Sequence, residues 1–433
     1  MRLLLREHGI PGGIETVNIK LVKELTELVD RVVWVMPHAR LKYFQQILPP
    51  SDRLIYEPQF WSRETPLKHK LTSTEEFVHQ KSPSLDPAFQ KFRRALLDLR
   101  LNWIIRRYQL THSFCTWVHV DVPRIGIPTG VMIMDVMWKH FPDCFGPNSQ
   151  EFVDRRFCDW LKMSAALFPV SEATAREIQR FYPRYPAPIH VVPHGAGDQQ
   201  HNGAASTTHG NGAVDRAIFY YPARAGINKD HLTLFKACEQ LFAEGHDFDV
   251  ILTGDQTERF ACPSPWNNDN GIETCRMFLQ EKQSLFRGRI KSRGYCARPE
   301  VDALYKACTA VVLPSAFEGF GLPLVEALEK GVEIICSDIA PYCEQLSRYG
   351  CRDEVRVFAK GDSAALAEAM QQILVASRDP AWRRRSRSIR FQSWTWSDAA
   401  AAYVASLSAL TPAHRNARCS RSDAKQDANC LAT

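Results

Sequence analysis

The sequence predicts an α/β protein built as two doubly wound domains facing a cleft. Three observations carry this reading. Short apolar runs alternate with stretches of helical periodicity through both halves of the chain, and strands separated by helices form a parallel sheet covered on both faces. Residues 197–214 (GDQQHNGAASTTHGNGAV) break the alternation with Gly, Asn, Ser, Thr and His and almost nothing to bury, which reads as a flexible linker. A length of 433 residues also exceeds what one ordinary core organises, so two units of roughly 200 residues each are expected.

The first unit, residues 1–196, begins with a strand at 2–5 and a glycine turn, Gly9-Ile10-Pro11-Gly12-Gly13. Ile14, Val17, Leu21, Leu25 and Leu28 then recur at helical spacing over 14–29. A strand at 31–36 follows, and the polar segment 57–86 yields no assignment. Residues 89–108 are helical and strongly basic, 130–134 a strand, 151–163 a helix and 166–170 a strand. Ser171 is placed to cap a helix running to Phe181, and a strand at 189–192 closes the unit. The second unit, residues 215–395, has strands at 217–223, 248–254, 289–295, 310–315, 333–338 and 355–359, with helices at 230–244, 299–306, 323–330 and 340–348. Residues 256–283, with Trp266 and Asn267-Asn268-Asp269-Asn270, interrupt it as a polar insertion that either shapes a pocket or makes a surface excursion, the second being favoured. Helical periodicity returns over 379–410, and 411–433 read as a disordered tail.

Composition narrows the function classes. With 45% hydrophobic and 24% charged residues the chain is an ordinary globular one. Its net charge of +6 favours an anionic ligand or an acidic membrane surface and falls short of a nucleic-acid binder, although a solvated Lys and Arg surface accounts for it equally well. The 13 cysteines contain no CxxC pair, so no metal site is expected. With no secretory pattern, they read as reduced thiols in a cytoplasmic protein. The apolar run 130–138 is cut by Asp135, and no stretch approaches the ~20 apolar residues that span a bilayer.

The chemistry concentrates at Leu313-Pro314-Ser315-Ala316-Phe317-Glu318-Gly319-Phe320-Gly321-Leu322-Pro323-Leu324-Val325-Glu326. A strand ends, a loop with two glycines follows, and a helix begins around Leu322 with Pro323 in its first turn, where a missing N–H does no harm. Glycines let backbone N–H groups approach a ligand, and the helix start adds partial positive charge, so a diphosphate suits the site. Glu318 and Glu326 bracket the loop with seven residues between them. Each carboxylate can accept two hydroxyl hydrogen bonds, which fits a vicinal diol of a ribose or a pyranose.

This stretch resembles the Glu-x7-Glu signature of retaining glycosyltransferases of the large family 4 (group 1) type. The turn at 9–13, the strand and Ser-capped helix at 166–175, Val191-Val192-Pro193-His194-Gly195 and residues 289–344 are similar to the same family, so that the likeness covers most of 1–410. The resemblance implies a GT-B type fold of two Rossmann-like domains, with residues 396–410 forming a helix that crosses back to the first. It implies that Glu318 and the backbone of Gly319, Phe320, Gly321 and Leu322 hold the donor sugar and its phosphates, and that Glu326 holds the ribose hydroxyls. Residues 220–231 (YYPARAGINKDH) resemble the segment that supplies a basic pair, here Lys229 and Arg224, to the departing diphosphate in place of a metal. Gly12 and Gly13 would bring first-domain backbone to the same phosphates.

One departure concerns the acceptor side. Residues 133–142 (IMDVMWKHFP) are similar to a family segment in which a strand ends in His-Asp; here Met134 stands in place of the His while Asp135 remains. A thioether moves no proton, so Asp135, His140 or His119 takes the role, or the acceptor is activated otherwise. The expected activity is transfer of a hexose, with mannose favoured, from a GDP- or UDP-sugar to the hydroxyl of a glycan or lipid-linked acceptor, with retention and without a further cofactor. A protein that binds nucleotide-sugar without turnover, or another enzyme on this scaffold such as an epimerase or phosphorylase, is the alternative. The basic, aromatic helix at 89–108 would suit peripheral contact with an anionic membrane at its inner face, or simply pack on the first domain with a charged outer side.

Overall fold

In the computed structural model, the described residues are 1–6, 13–59, 86–142, 149–185, 187–196, 216–262, 270–379, 381–382 and 394–410. They form two parallel sheets. The first takes strands β1 (Arg2–Arg6), β2 (Arg31–Met36), β3 (Leu54–Pro58), β4 (His112–Cys115), β5 (Thr129–Ile133) and β6 (Ala166–Pro169) in the order β3-β2-β1-β4-β5-β6. The second takes β7 (Ala217–Pro222), β8 (Phe248–Thr253), β9 (Ile290–Ser292), β10 (Ala310–Leu313), β11 (Glu333–Ser337) and β12 (Arg356–Phe358) in the order β12-β11-β10-β7-β8-β9. In both, the first strand in sequence lies inside the sheet, where the strand order reverses. That is the doubly wound pattern, and it opens a crevice at the carboxyl ends of the strands.

Burial on both faces explains the unbroken apolar strands. Leu3, Leu4 and Leu5 of β1 are buried, pairing with Val32, Val33 and Trp34 on one side and His112, Ser113 and Phe114 on the other. Helix α1 (Gly13–Leu28) packs Val17, Leu21 and Leu25 into the core and meets the last helix, Trp396–Ser408, whose Ala399, Ala400 and Tyr403 join the same core. That last helix lies on the first sheet: the Tyr403 ring sits 4.9 Å from Phe114 and 5.3 Å from Phe168, and its hydroxyl donates to the Val192 carbonyl. Residues 193–196 and 394–396 run side by side, with Ala196 N–H donating to Trp394 O and the Trp394 indole donating to Pro193 O.

Several elements differ from the sequence expectation. Short strands β3 and β4 and helix His38–Ile47 carry too few residues for a clear period. Residues 189–192 are not a strand: Ile189 makes an isolated bridge to Leu167, and Pro188 and Pro193, which lack N–H donors, bound the segment. The expected strand 289–295 is confined to Ile290–Ser292, since Gly294 turns away at φ +68°. The excursion at 256–283 contains helix Asn270–Glu281, which buries Ile272 and Cys275 against helix His231–Ala243, so that part is a core element. Helix was expected through 379–410. Of that span, Ala381 and Trp382 are helical, residues 380 and 383–393 lie outside the described residues, and the last helix starts after extended Thr395, its side-chain cap. The linker 197–214, Gly12, Trp266 and the tail 411–433 lie outside the described residues.

Candidate active site

Strand β10 delivers the loop 314–321, and a helix runs on from it over Leu322–Glu329. Its two glycines are required for different reasons. Gly321 is the N-cap residue at φ +86°, and a Cβ there would lie 2.3 Å from the Tyr342 ring. Gly319 meets the other domain: a Cβ would lie 1.7 Å from the Met134 carbonyl oxygen. The Thr174 hydroxyl sits within 3.3 Å of Met134 O and 3.4 Å of Gly319 O, bridging the two backbones.

Glu318 is held from three directions. Lys229 Nζ donates to Glu318 Oε1 at 2.5 Å, Ser315 Oγ donates at 2.8 Å, and the Tyr342 hydroxyl lies 3.5 Å away. Lys229 reaches it because Tyr221 Oη donates to the Lys229 carbonyl at 2.7 Å, while Ala316 and Phe317 N–H donate to Asn228 O. The loop carrying the cation is thereby stitched to the loop carrying the carboxylate. Burial pushes both the Tyr221 and Tyr342 hydroxyls far above their ordinary range, so they stay neutral donors. Phe320 is buried with its ring 4.9 Å from His194, and its carbonyl accepts from Gln345. It therefore offers a ligand its backbone rather than its side chain.

Glu326 has one donor per oxygen: Arg298 on Oε1 and Tyr305 Oη at 2.9 Å on Oε2. A carboxylate oxygen still has a lone pair free when it accepts one such bond. Gly13 opens helix α1 beside this element, since a Cβ on it would touch Leu322 at 3.7 Å.

Asp135 faces the same space from the first domain. Burial raises its pKa, the Met137 N–H donating to Oδ1 at 2.9 Å opposes that, the Glu318 charge raises it further, and Lys229 and Arg224 lower it. These four side chains, from segments far apart in sequence, share one electrostatic neighbourhood. Arg224 is exposed, with no side-chain partner among the described residues. His140 pairs with Glu177 and its ring lies 4.7 Å from Phe317, while His119 is packed between Trp117 and Trp138. Between the domains lies a cavity of about 440 Å³ lined from both sides, with Glu318 in its wall.

Residues 209–387 match the family model for glycosyl transferases group 1. Serotype-specific mannosyltransferase WbdA of Escherichia coli is 28% identical over 185 residues, 43% of this chain and 20% of that protein. The O-antigen chain mannosyltransferase B of Escherichia coli is 33% identical over 96 residues, 22% of this chain and 23% of that one. The matches thus span about a fifth to a quarter of these curated relatives. Among solved structures, Anabaena HepE in complex with UDP and glucose superposes with a TM-score of 0.62 at 16% identity, over 95% of this chain and 100% of that one. The fold is that of the GT-B glycosyltransferases.

Within the matched segment, Glu318, Glu326 and Lys229 are legible in the sequence but the residues that hold them are not. Tyr221 and Tyr342 around Glu318, and Arg298 and Tyr305 around Glu326, reach in from separate βα units and leave no local pattern, whereas Ser315 lies in the same loop as Glu318. Glu344 was also passed over. Its carboxylate accepts from the Glu172 and Ala173 N–H groups at 3.0 and 3.1 Å, capping a helix of the opposite domain.

Proposed function

We propose that the chain transfers a hexosyl unit, mannosyl by preference, from a nucleoside diphosphate sugar to a hydroxyl of a glycan or lipid-linked acceptor, with the anomeric configuration retained. The observation that carries this is the Lys229–Glu318 pair on a glycine loop opening a helix, with Glu326 in that helix. Lys229 and Arg224 neutralise charge on the departing diphosphate, and the backbone N–H groups of 319–322 bind donor phosphate and sugar. Glu318 accepts from sugar hydroxyls and Glu326 from the ribose, with Arg298 and Tyr305 fixing its carboxylate. Gly13 brings first-domain backbone to the same phosphates. Asp135, poised by burial, faces the acceptor hydroxyl in place of the absent histidine. The mannosyltransferase names of the curated relatives support mannose and hence GDP, whereas HepE was solved with UDP, so both nucleotides belong in the test.

The helix at Asp86–Tyr108 exposes Phe92, Leu99 and Trp103 among Lys91, Arg106 and Arg107, which supports peripheral contact with an anionic membrane during polysaccharide or glycolipid synthesis at its cytoplasmic face. No helix among the described residues is long and apolar enough to cross a membrane. A second reading, binding without turnover, rests on Met134.

Calorimetric titration of the wild type and Glu326→Ala with GDP, UDP and their sugar conjugates tests the donor site. Micromolar binding of one nucleotide family, weakened at least tenfold in the variant (about 1.4 kcal/mol), is expected. No binding by a folded protein would overturn the proposal. Slow donor hydrolysis or transfer to any acceptor would remove the binding-only reading.

A further inference from the structure

The interdomain cavity holds Glu318 in its wall but neither Glu326 nor Arg224 nor Lys229, which on the transferase reading sets it toward the sugar rather than the nucleotide. Its charges are not evenly matched. Its acids already have partners: Glu318 takes Lys229 and Ser315, Glu177 takes His140, and Asp338 accepts the Lys360 backbone N–H at 2.8 Å. Its cations, the side chains of Arg176 and Lys360, come one from each domain, are exposed, and have no side-chain partner among the described residues. The helix Ala340–Tyr349 also begins in this wall, at Ile339, Ala340 and Pro341, without a side-chain cap, so its N-terminal N–H groups add partial positive charge. The same cavity is lined by Val136, Phe141 and Phe317, apolar side chains against which a pyranose ring can lie.

We infer that this cavity is an acceptor subsite for a sugar carrying an anionic group, a phosphate or a carboxylate, held by Arg176 from the first domain and Lys360 from the second. The inference rests on the transferase reading above and names its acceptor class. Because the two cations belong to different domains, an anion bridging them also favours the closed cleft.

The test uses the full chain with saturating GDP or UDP, so that the donor phosphate site is filled. Mannose 6-phosphate, glucuronic acid, neutral methyl α-mannoside and inorganic phosphate are titrated by calorimetry into wild type, Arg176→Ala, Lys360→Ala and the double variant. The expected result is that a charged sugar binds on the order of tenfold or more tighter than methyl α-mannoside, that the preference shrinks as salt rises, and that it disappears in the double variant while nucleotide affinity is unchanged. The phosphate and carboxylate arms identify the anion, and inorganic phosphate binding as tightly as the sugar phosphate would reduce the site to a bare anion pocket and overturn the acceptor assignment. Equal binding of neutral and charged sugars, or a preference that survives the double variant, would also overturn it. Failure of GDP and UDP to bind would instead defeat the transferase reading and the acceptor assignment with it, an outcome distinct from the loss of charge preference that overturns this inference alone.

Discussion

Replacing Gly319 with alanine places one methyl where the two domains touch. On the present backbone that carbon falls 1.7 Å from the Met134 carbonyl oxygen, 2.7 Å from its carbon and 3.0 Å from Asp135 Cβ. Cβ atoms essentially never approach closer than 3.0 Å, so the facing segment must retreat by at least 3.0 − 1.7 = 1.3 Å. Two of the three obstacles are backbone and cannot rotate aside. Asp135 rides on the displaced segment, and a misplacement of ~1 Å between reacting groups costs on the order of 100-fold in rate. We therefore expect kcat/KM for transfer or donor hydrolysis to fall about 100-fold, equivalent to about 2.7 kcal/mol. Opening the cleft relieves the clash, so nucleotide affinity by calorimetry should stay within about threefold and the fold should survive. Gly321→Ala is the contrasting control. Its clash is with Tyr342 of the same domain at φ +86°, which opening cannot relieve, so urea unfolding should show a loss of roughly 2–5 kcal/mol. Wild-type turnover by a folded Gly319→Ala protein would refute the closed Gly319–Met134 contact as the working geometry.

Three further outcomes follow from the same structure. Burial raises the Asp135 pKa, so the stability it confers is present below the ordinary carboxyl range and lost as pH rises through the folded value; Asp135→Asn should raise Tm at pH 7, flatten that pH dependence, and lower turnover by roughly 100-fold or more, and a variant that keeps full activity would remove Asp135 from catalysis. His231 is buried among Tyr221, Phe235 and Phe260 with both ring nitrogens unpartnered among the described residues, and burial pushes its pKa down to about 3. Its neutral form is stable above pH 6.5, and stability is lost as pH falls from there toward 3, so His231→Phe should recover about 2 kcal/mol of the loss between pH 6.5 and 5 in urea titrations, and an unchanged slope would count against a buried neutral imidazole. Glu344→Ala removes an interdomain helix cap worth about 1 kcal/mol, so scattering should show a more open average shape, about a fivefold shift in the equilibrium, with nucleotide affinity retained; an unchanged profile would assign the cap no part in closure.

The elements most legible in the sequence were those whose period is set by burial. Strand Arg31–Met36 emerges with its expected bounds because both of its faces are covered, and the Ser171 cap is a local bond, Thr174 N–H to Ser171 Oγ at 3.0 Å. The strand–loop–helix around Glu318 is equally local: Gly321 supplies the left-handed turn and Pro323 the first helical turn. What failed were segments whose fate depends on partners. Residues 189–192 look like a strand yet lie along the sheet margin between prolines, and the polar 270–281 stretch becomes a core helix because Ile272 and Cys275 find helix His231–Ala243.

The sequence by itself determined two α/β units, a glycine loop opening a helix, and two carboxylates with seven residues between them, because spacing along the chain dictates period, turn and cap. The tertiary structure alone decided which distant groups those carboxylates meet: Lys229 and Tyr342 at Glu318, Arg298 and Tyr305 at Glu326. It alone seated the Met134 carbonyl against Gly319 and brought Arg176 and Lys360 to one cavity. The physical reason is that these contacts join the carboxyl ends of strands from different crossovers and different domains. Such neighbours are set by sheet order and cleft closure, and neither leaves a trace in local spacing.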